Sequence, residues 1–448
     1  VVIHTLERPE MVPSTNMVRN LFYASRSKSV QTVIINGRVV LDAGRMTTVD
    51  EGEVFVEVRN ASEALFRRMG HTVAPNQITR AVGMTILHLL PELFSQQKRL
   101  IAEHGGLKAY AFRYPSGVAA VELYNDLGHL IWLPFQGQQI WDATFHGRRL
   151  TMGSPFEQPL PVRDFLATYG AFFIHCGGTS LGNPAPDDDH PLHGELPNLP
   201  YDTAKLVMGQ DAGVRFVDLT GSARDRRAYS HDFTVRPRLR LHESSAEIVA
   251  NIAVENSGPL PLLFAYLAHI NFRPINGAQL LDTLADDRHG LELRQPDLSE
   301  TTPDDVRTYH TKLRTDPARH RSLEPGPVLP EMVATMTLPA GQDGWTHALH
   351  YHSDGQGDAV SFRPDELPYA VRWITRGGDL DALGLILPST APPDGRASAR
   401  RNGQMISLPP GGLFRSKMRI SALLAQEAEA MANRIAVIRN EKECDAVK

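Results

Sequence analysis

The chain has 448 residues, 22% of them charged and 42% hydrophobic, with a formal net charge of −5. Such a length and balance suit either two or three globular domains or one large β domain with additions. The charge offers no basic stripe for nucleic acid, and no apolar run is long enough to cross a bilayer or to begin the chain as a signal segment, so a cytoplasmic protein is expected. Only Cys176 and Cys444 are present, too few for a disulfide framework or a multi-cysteine zinc site.

The sequence starts at Val1 without a methionine, as a trimmed chain or a fragment would. Residues 1–50 read as a small β meander, with β-branched runs flanking Asn36-Gly37, the dipeptide a tight hairpin prefers. Val54, Val58, Ala61, Leu65 and Met69 recur at helical spacing, predicting an amphipathic helix over 51–70. A second helical stretch is expected after Pro75, kinked at Pro91 and ending at Gly105-Gly106. From Lys108 onward short strands follow one another: 109–114, 117–125 and 129–147, then 236–254. Their spacing and turn residues argue for an antiparallel sandwich.

The buried strand Glu247–Val254 leads into Asn256-Ser257-Gly258, and Leu262–Asn271 is expected to run back as its partner. His269, Asn271 and Arg273 then fall at period-two spacing, on one face of a strand. Residues 282–329 are polar and Pro-rich and suggest a long surface excursion. Strands are expected again at 331–338, 345–354, 359–364, 369–377, 382–388 and 417–423. An exposed helix and loose tail are expected over 422–448.

Several of these features together carry a resemblance. The turn Glu255-Asn256-Ser257-Gly258, the step Pro259-Leu260-Pro261, the strand end His269-Ile270-Asn271-Phe272 and an upstream His193-Gly194 pair resemble the aldose epimerase (galactose mutarotase-like) superfamily. The likeness spans roughly Met84 to Leu423. It implies a mainly β fold, a large antiparallel β-sandwich (supersandwich) over 84–423. A head of β meander plus helices would precede it at 1–83, and a helix and tail would follow at 424–448. Met84 would then mark the native beginning of the sandwich protein. Val30–Val40, V-x-x-V-x-x-N-G-R-V-V, is similar to the C-terminal segment of amidohydrolases, but the barrel and its metal ligands are absent, so residues 1–50 are expected to be a structural remnant.

The resemblance implies a carbohydrate-active isomerase that needs neither cofactor nor metal and takes a small sugar. A proton must reach the ring oxygen while a base takes one from the anomeric hydroxyl, and histidine titrates near working pH. His193 and His269 are the candidates for acid and orienting group, although 18 histidines leave room for coincidence. Related epimerases carry a glutamate on a late strand before a proline, where this chain has Leu387. Glu195 is the nearest substitute base by sequence, or else a loop carboxylate that orients a hydroxyl. Asn198, Asn271, Arg273, Gln136, Gln138 and Trp373 are candidate sugar contacts; a plain strand-edge role is the stronger expectation for the glutamines, Gln139 included. His350/His352 and Asp187-Asp188-Asp189-His190 are metal-like in pattern, but strand-surface histidines and a solvated acidic loop are expected. Leu387 leaves open a non-catalytic sugar-binding protein, and the head leaves open a structural part of an amidohydrolase-linked pathway.

Overall fold

The computed structural model describes residues 2–4, 30–35, 38–42, 45–46, 84–186, 188–285, 290–296, 298 and 302–446. The chain divides into two compact units, Val1–Val82 and Gly83–Lys448. In the first, strands Val2–His4, Val30–Ile35, Arg38–Asp42 and Arg45–Met46 form one antiparallel sheet in chain order. Ile35 pairs with Arg38 across the Asn36-Gly37 step, as a tight hairpin requires. The helix expected over 51–70 lies outside the described residues.

The second unit is built on a 13-stranded and a nine-stranded antiparallel sheet. Alternation explains the burial. Along His231–His242, the side chains of Phe233, Val235, Leu239 and Leu241 point into the core while their neighbours face out, the period-two signature of a half-buried strand. The main hydrophobic core, running from Leu89 to Ala422, draws on both sheets.

Four expectations need correction. The stretch before Gly105-Gly106 is not helical: Thr85–Leu89 pairs with Ala204–Met208, Pro91–Leu93 is a single 3-10 turn, and Arg99–His104 forms a hairpin with Leu107–Arg113. The open edge of the nine-stranded sheet outweighs helical spacing there, and Gly105, at φ 65°, serves the hairpin turn. Leu262–Ile270 is not the partner of Glu247–Asn256. The latter pairs with His231–His242 and Leu413–Leu423 in the nine-stranded sheet, whereas Leu262–Ile270 belongs to the other sheet. The intervening turn therefore crosses between layers. The excursion over 282–329 contains a helix, Asp304–Thr315, with Asp304 and Asp305 in its first turn and Lys312 and Arg314 in its last, matching the helix dipole. Finally, the C-terminal helix Ala425–Ala446 is not wholly exposed, since Ala428, Ile435 and Ile438 are buried and Ile435 packs on Leu349 and Ala359. No helix among the described residues is long and apolar enough to cross a membrane.

Candidate functional site

The layer crossing is held by one side chain. Asn256 Oδ1 accepts from the Gly258 N–H at 3.0 Å, and its Nδ2 donates to the carbonyls of Leu260 and Leu408 at 2.8 Å each. Pro259 and Pro261 have no N–H to extend a ladder. The chain then enters Leu262–Ile270, which pairs with Phe173–Gly178 on one side, placing His269 opposite Ile174, and with Leu380–Ser389 on the other. Beyond Leu380–Ser389 come Tyr369–Gly377, Val328–Met336 and Leu291–Leu293 in order. This row of strands supplies one wall of a cavity of about 230 Å³, small among ligand pockets, which run to about 300–1,000 Å³. A monosaccharide-sized ligand suits it better than a long chain.

His269 stands at the centre of an oriented network. Asn271 Nδ2 donates to the Ala171 carbonyl at 2.9 Å, which fixes its amide orientation, so Oδ1 must be the acceptor both for the Tyr169 hydroxyl at 3.2 Å and for His269 Nδ1 at 2.8 Å. His269 therefore carries its proton on Nδ1 when neutral and leaves Nε2 for a ligand. Burial pushes its pKa down to about 4, against the opposing Asn271 bond. The ring is therefore neutral at pH 7.

His193 arrives on a loop. Its φ is +58° and that of Gly194 +77°, a left-handed pair that a second side chain would not tolerate. A Cβ on Gly194 would lie 2.4 Å from the Gly177 carbonyl oxygen and 2.5 Å from that of Ser180, which explains the glycine after the histidine. The Gly177 N–H donates to the His193 carbonyl at 2.8 Å, clamping the loop to the end of the Phe173–Gly178 strand. The His193 and His269 rings meet edge to face with centroids 5.3 Å apart. Burial, then the neighbouring His269 and the Arg294 charge, holds the His193 pKa well below the usual range, and its buried Nδ1 has no partner among the described residues. Phe165, Tyr169 and Trp373 surround the pair, with Trp373 5.4 Å from His269 and Phe165 4.9 Å from His193.

The other candidates divide. Trp373 and Leu387 line the cavity, and Asn271 orients His269 from behind. Glu195 does not line it: Oε1 accepts from the Thr179 hydroxyl at 2.6 Å and Oε2 from the Thr179 N–H at 2.7 Å, both oxygens being spent on anchoring the loop. Asn198 Oδ1 accepts from Gln136 and Gln139, Gln139 also donates to the Pro197 carbonyl, and Gln138 donates to the Pro134 carbonyl. These four pin the 134–139 loop to 197–198, away from the cavity. Arg273 is also absent from the lining: the strand ends at Ile270, Phe272 bridges to Leu383, and the expected period-two face is broken.

Besides the aromatic residues Phe165 and Tyr169, two charged residues escaped the sequence reading. Glu331 and Arg294 both line the cavity. Neither sits in a recognisable motif; the strand signal at 331–338 located the glutamate without saying which way it faced.

The metal-like patterns are otherwise occupied. His350 and His352 are buried rather than on a strand surface, and a third group, Asp358, joins them with ligand atoms within 4.8 Å of one another. Arg148 donates to Asp358 Oδ1 at 2.9 Å, while both imidazoles approach Oδ2, so the carboxylate already has a positive partner. In the acidic loop, Asp188 accepts from the Ala185 and Ala397 N–H groups, and Asp189 pairs with Arg396. Asp187 lies outside the described residues.

The fold is a large antiparallel β-sandwich similar to that of solved structures described as aldose 1-epimerase-like or galactose mutarotase-like. The chain belongs to the family described as Domain of unknown function (DUF4432), which matches residues 116–422. Among solved structures, a candidate aldose 1-epimerase from Klebsiella pneumoniae superposes with a TM-score of 0.68 at 17% identity, covering 80% of this chain and 96% of that one. A galactose mutarotase-like protein from Clostridium acetobutylicum gives 0.48 at 12% identity, covering 71% and 99%. Curated relatives match over a short stretch only. The 5-methylthioadenosine/S-adenosylhomocysteine deaminase of Desulforamulus reducens is 38% identical over 65 residues, 14% of this chain and 15% of that protein. The chain thus spans about 15% of the length of those relatives, in keeping with a short amidohydrolase-like segment.

Proposed function

We propose that this protein interconverts the anomers of an aldose or sugar derivative by acid–base catalysis without a cofactor. One observation carries the reading: two imidazoles, 5.3 Å apart, share an aromatic-walled cavity of monosaccharide size. Trp373, Tyr169 and Phe165 offer apolar faces to a sugar ring, and the histidines offer aimed polar atoms to its hydroxyls and ring oxygen. Asn271 fixes the His269 tautomer, so the proton-handling atom is Nε2. Glu195 acts as a positioning residue that holds the His193 loop.

Leu387 at the cavity wall favours a second reading, sugar binding without turnover. The two separate in one experiment. A freshly dissolved pure anomer is followed by NMR with wild type and His269→Ala. Acceleration by wild type that is lost in the variant supports the isomerase; saturable binding with no acceleration supports the binding protein.

A further inference from the structure

We propose that Glu331 is the proton acceptor at the anomeric hydroxyl, in the role that Leu387 cannot fill; this rests on the isomerase reading above. Among the described residues, Glu331 is the sole carboxylate that lines the cavity. It sits where the register of Val328–Met336 on Tyr369–Gly377 slips: Val328 faces Arg376 and Met332 faces Ile374, so residues 329–331 stand against Thr375 alone. Such a bulge re-aims a side chain, and here it directs the carboxylate at a cavity that Thr375 also lines. Trp373 Nε1 donates to Oε2, leaving Oε1 without a hydrogen-bond partner among the described residues. The same indole lies 5.4 Å from the His269 ring. One oxygen is thus fixed and the other free, on the side of the cavity across Trp373 from His269.

The O1 proton passes to Glu331 Oε1 as the C1–O5 bond breaks, and O5 takes a proton from Nε2 of protonated His269, whose Nδ1–H stays on Asn271. The resulting open-chain aldehyde turns about C1–C2, and closure on its other face reverses both transfers. No electron or proton is gained over the cycle. Burial makes this imidazolium a minor form at pH 7, and the cycle runs through that fraction of the enzyme.

The test uses Glu331→Gln in the full chain, an isosteric change that keeps an acceptor for the Trp373 N–H. The probes are the pure α-anomers of D-glucose, D-galactose and L-arabinose, followed by NMR. The expected result is that wild type accelerates at least one anomer, that kcat falls about 100-fold to 10,000-fold in the variant with KM little changed, and that adding Leu387→Glu restores part of it. Turnover within about tenfold of wild type would overturn the assignment of Glu331 and leave the isomerase standing. No acceleration of any probe by wild type would overturn both.

Discussion

Among the described residues, two close pairs of histidines look alike on paper and differ in what completes them. His193 and His269 meet edge to face at 5.3 Å, and His350 and His352 at 4.4 Å. The second pair is closed. Asp358 Oδ2 stands 3.1 Å from His352 and 3.4 Å from His350, and Arg148, from the 13-stranded sheet, reaches Asp358 in the nine-stranded one. Burial pushes the Asp358 carboxyl up, but the two imidazoles and the Arg148 charge outweigh it and hold it well below the carboxylate range. The first pair is open: one ring is oriented by Asn271, the other has a buried nitrogen with no partner among the described residues, and both face a cavity. Unpaired atoms do not separate the two, since His350 Nε2 and Arg148 Nε also lack partners among the described residues; what does is that one pair closes on a carboxylate and a guanidinium that join the layers, whereas the other borders a cavity and is poised to bind.

The sharpest way to break this contrast is to remove one member from each cluster. His269→Ala should lower turnover by about 100-fold to 10,000-fold while the protein still unfolds cooperatively. Asp358→Leu should do the reverse, costing about 3–5 kcal/mol in urea unfolding because it strands a charge in a tight site, with turnover per folded molecule unchanged.

A somewhat smaller effect is expected from pH. The folded pKa of His269, about 4, lies below its ordinary 6.5, so between these values the unfolded chain binds a proton that the folded chain does not. Stability contributed by keeping this ring neutral is intact above pH 6.5 and falls as pH drops to 4, by about 3 kcal/mol in all. His193, Tyr169 and Glu331 face the same ring. Urea midpoints from pH 7 to 4 should therefore decline less steeply in His269→Leu than in wild type, and an equal slope would refute the assignment.

Metal should have the smallest effect. With Arg148 on Asp358, neither a chelator nor added zinc is expected to move Tm. Zinc bound at 100 times its Kd would add about 2.7 kcal/mol, a shift that thermal melts would register and that would reopen the His350/His352 cluster as a metal centre.

Local chemistry made much of the fold legible. Strands such as Tyr369–Gly377 alternate or run apolar without interruption, and the expected bounds 369–377 coincide with the observed ones. The turn at Asn256-Ser257-Gly258 was visible, though not that it crosses between layers, and the His193-Gly194 pair was visible as a landmark, though not its left-handed backbone. Three things depended on partners distant in sequence. Thr85–Leu89 is a strand because an edge was available to it. Leu262–Ile270 left its predecessor because each strand had other neighbours. The helix Asp304–Thr315 was hidden by a polar composition whose few apolar residues, Val306 and Leu313, are buried by tertiary contacts.

The site divides along the same line. Sequence by itself determined that His269 and Trp373 would lie on strands, because side-chain period is local. Only the tertiary structure decided that Glu195 spends both oxygens on Thr179, that Gln136, Gln138 and Asn198 brace loops, and that Glu331, from a strand two places away from that of Leu387, faces the cavity. The physical reason is that a carboxylate's role is set by which donors and which void surround it, and here those are supplied by residues far away along the chain.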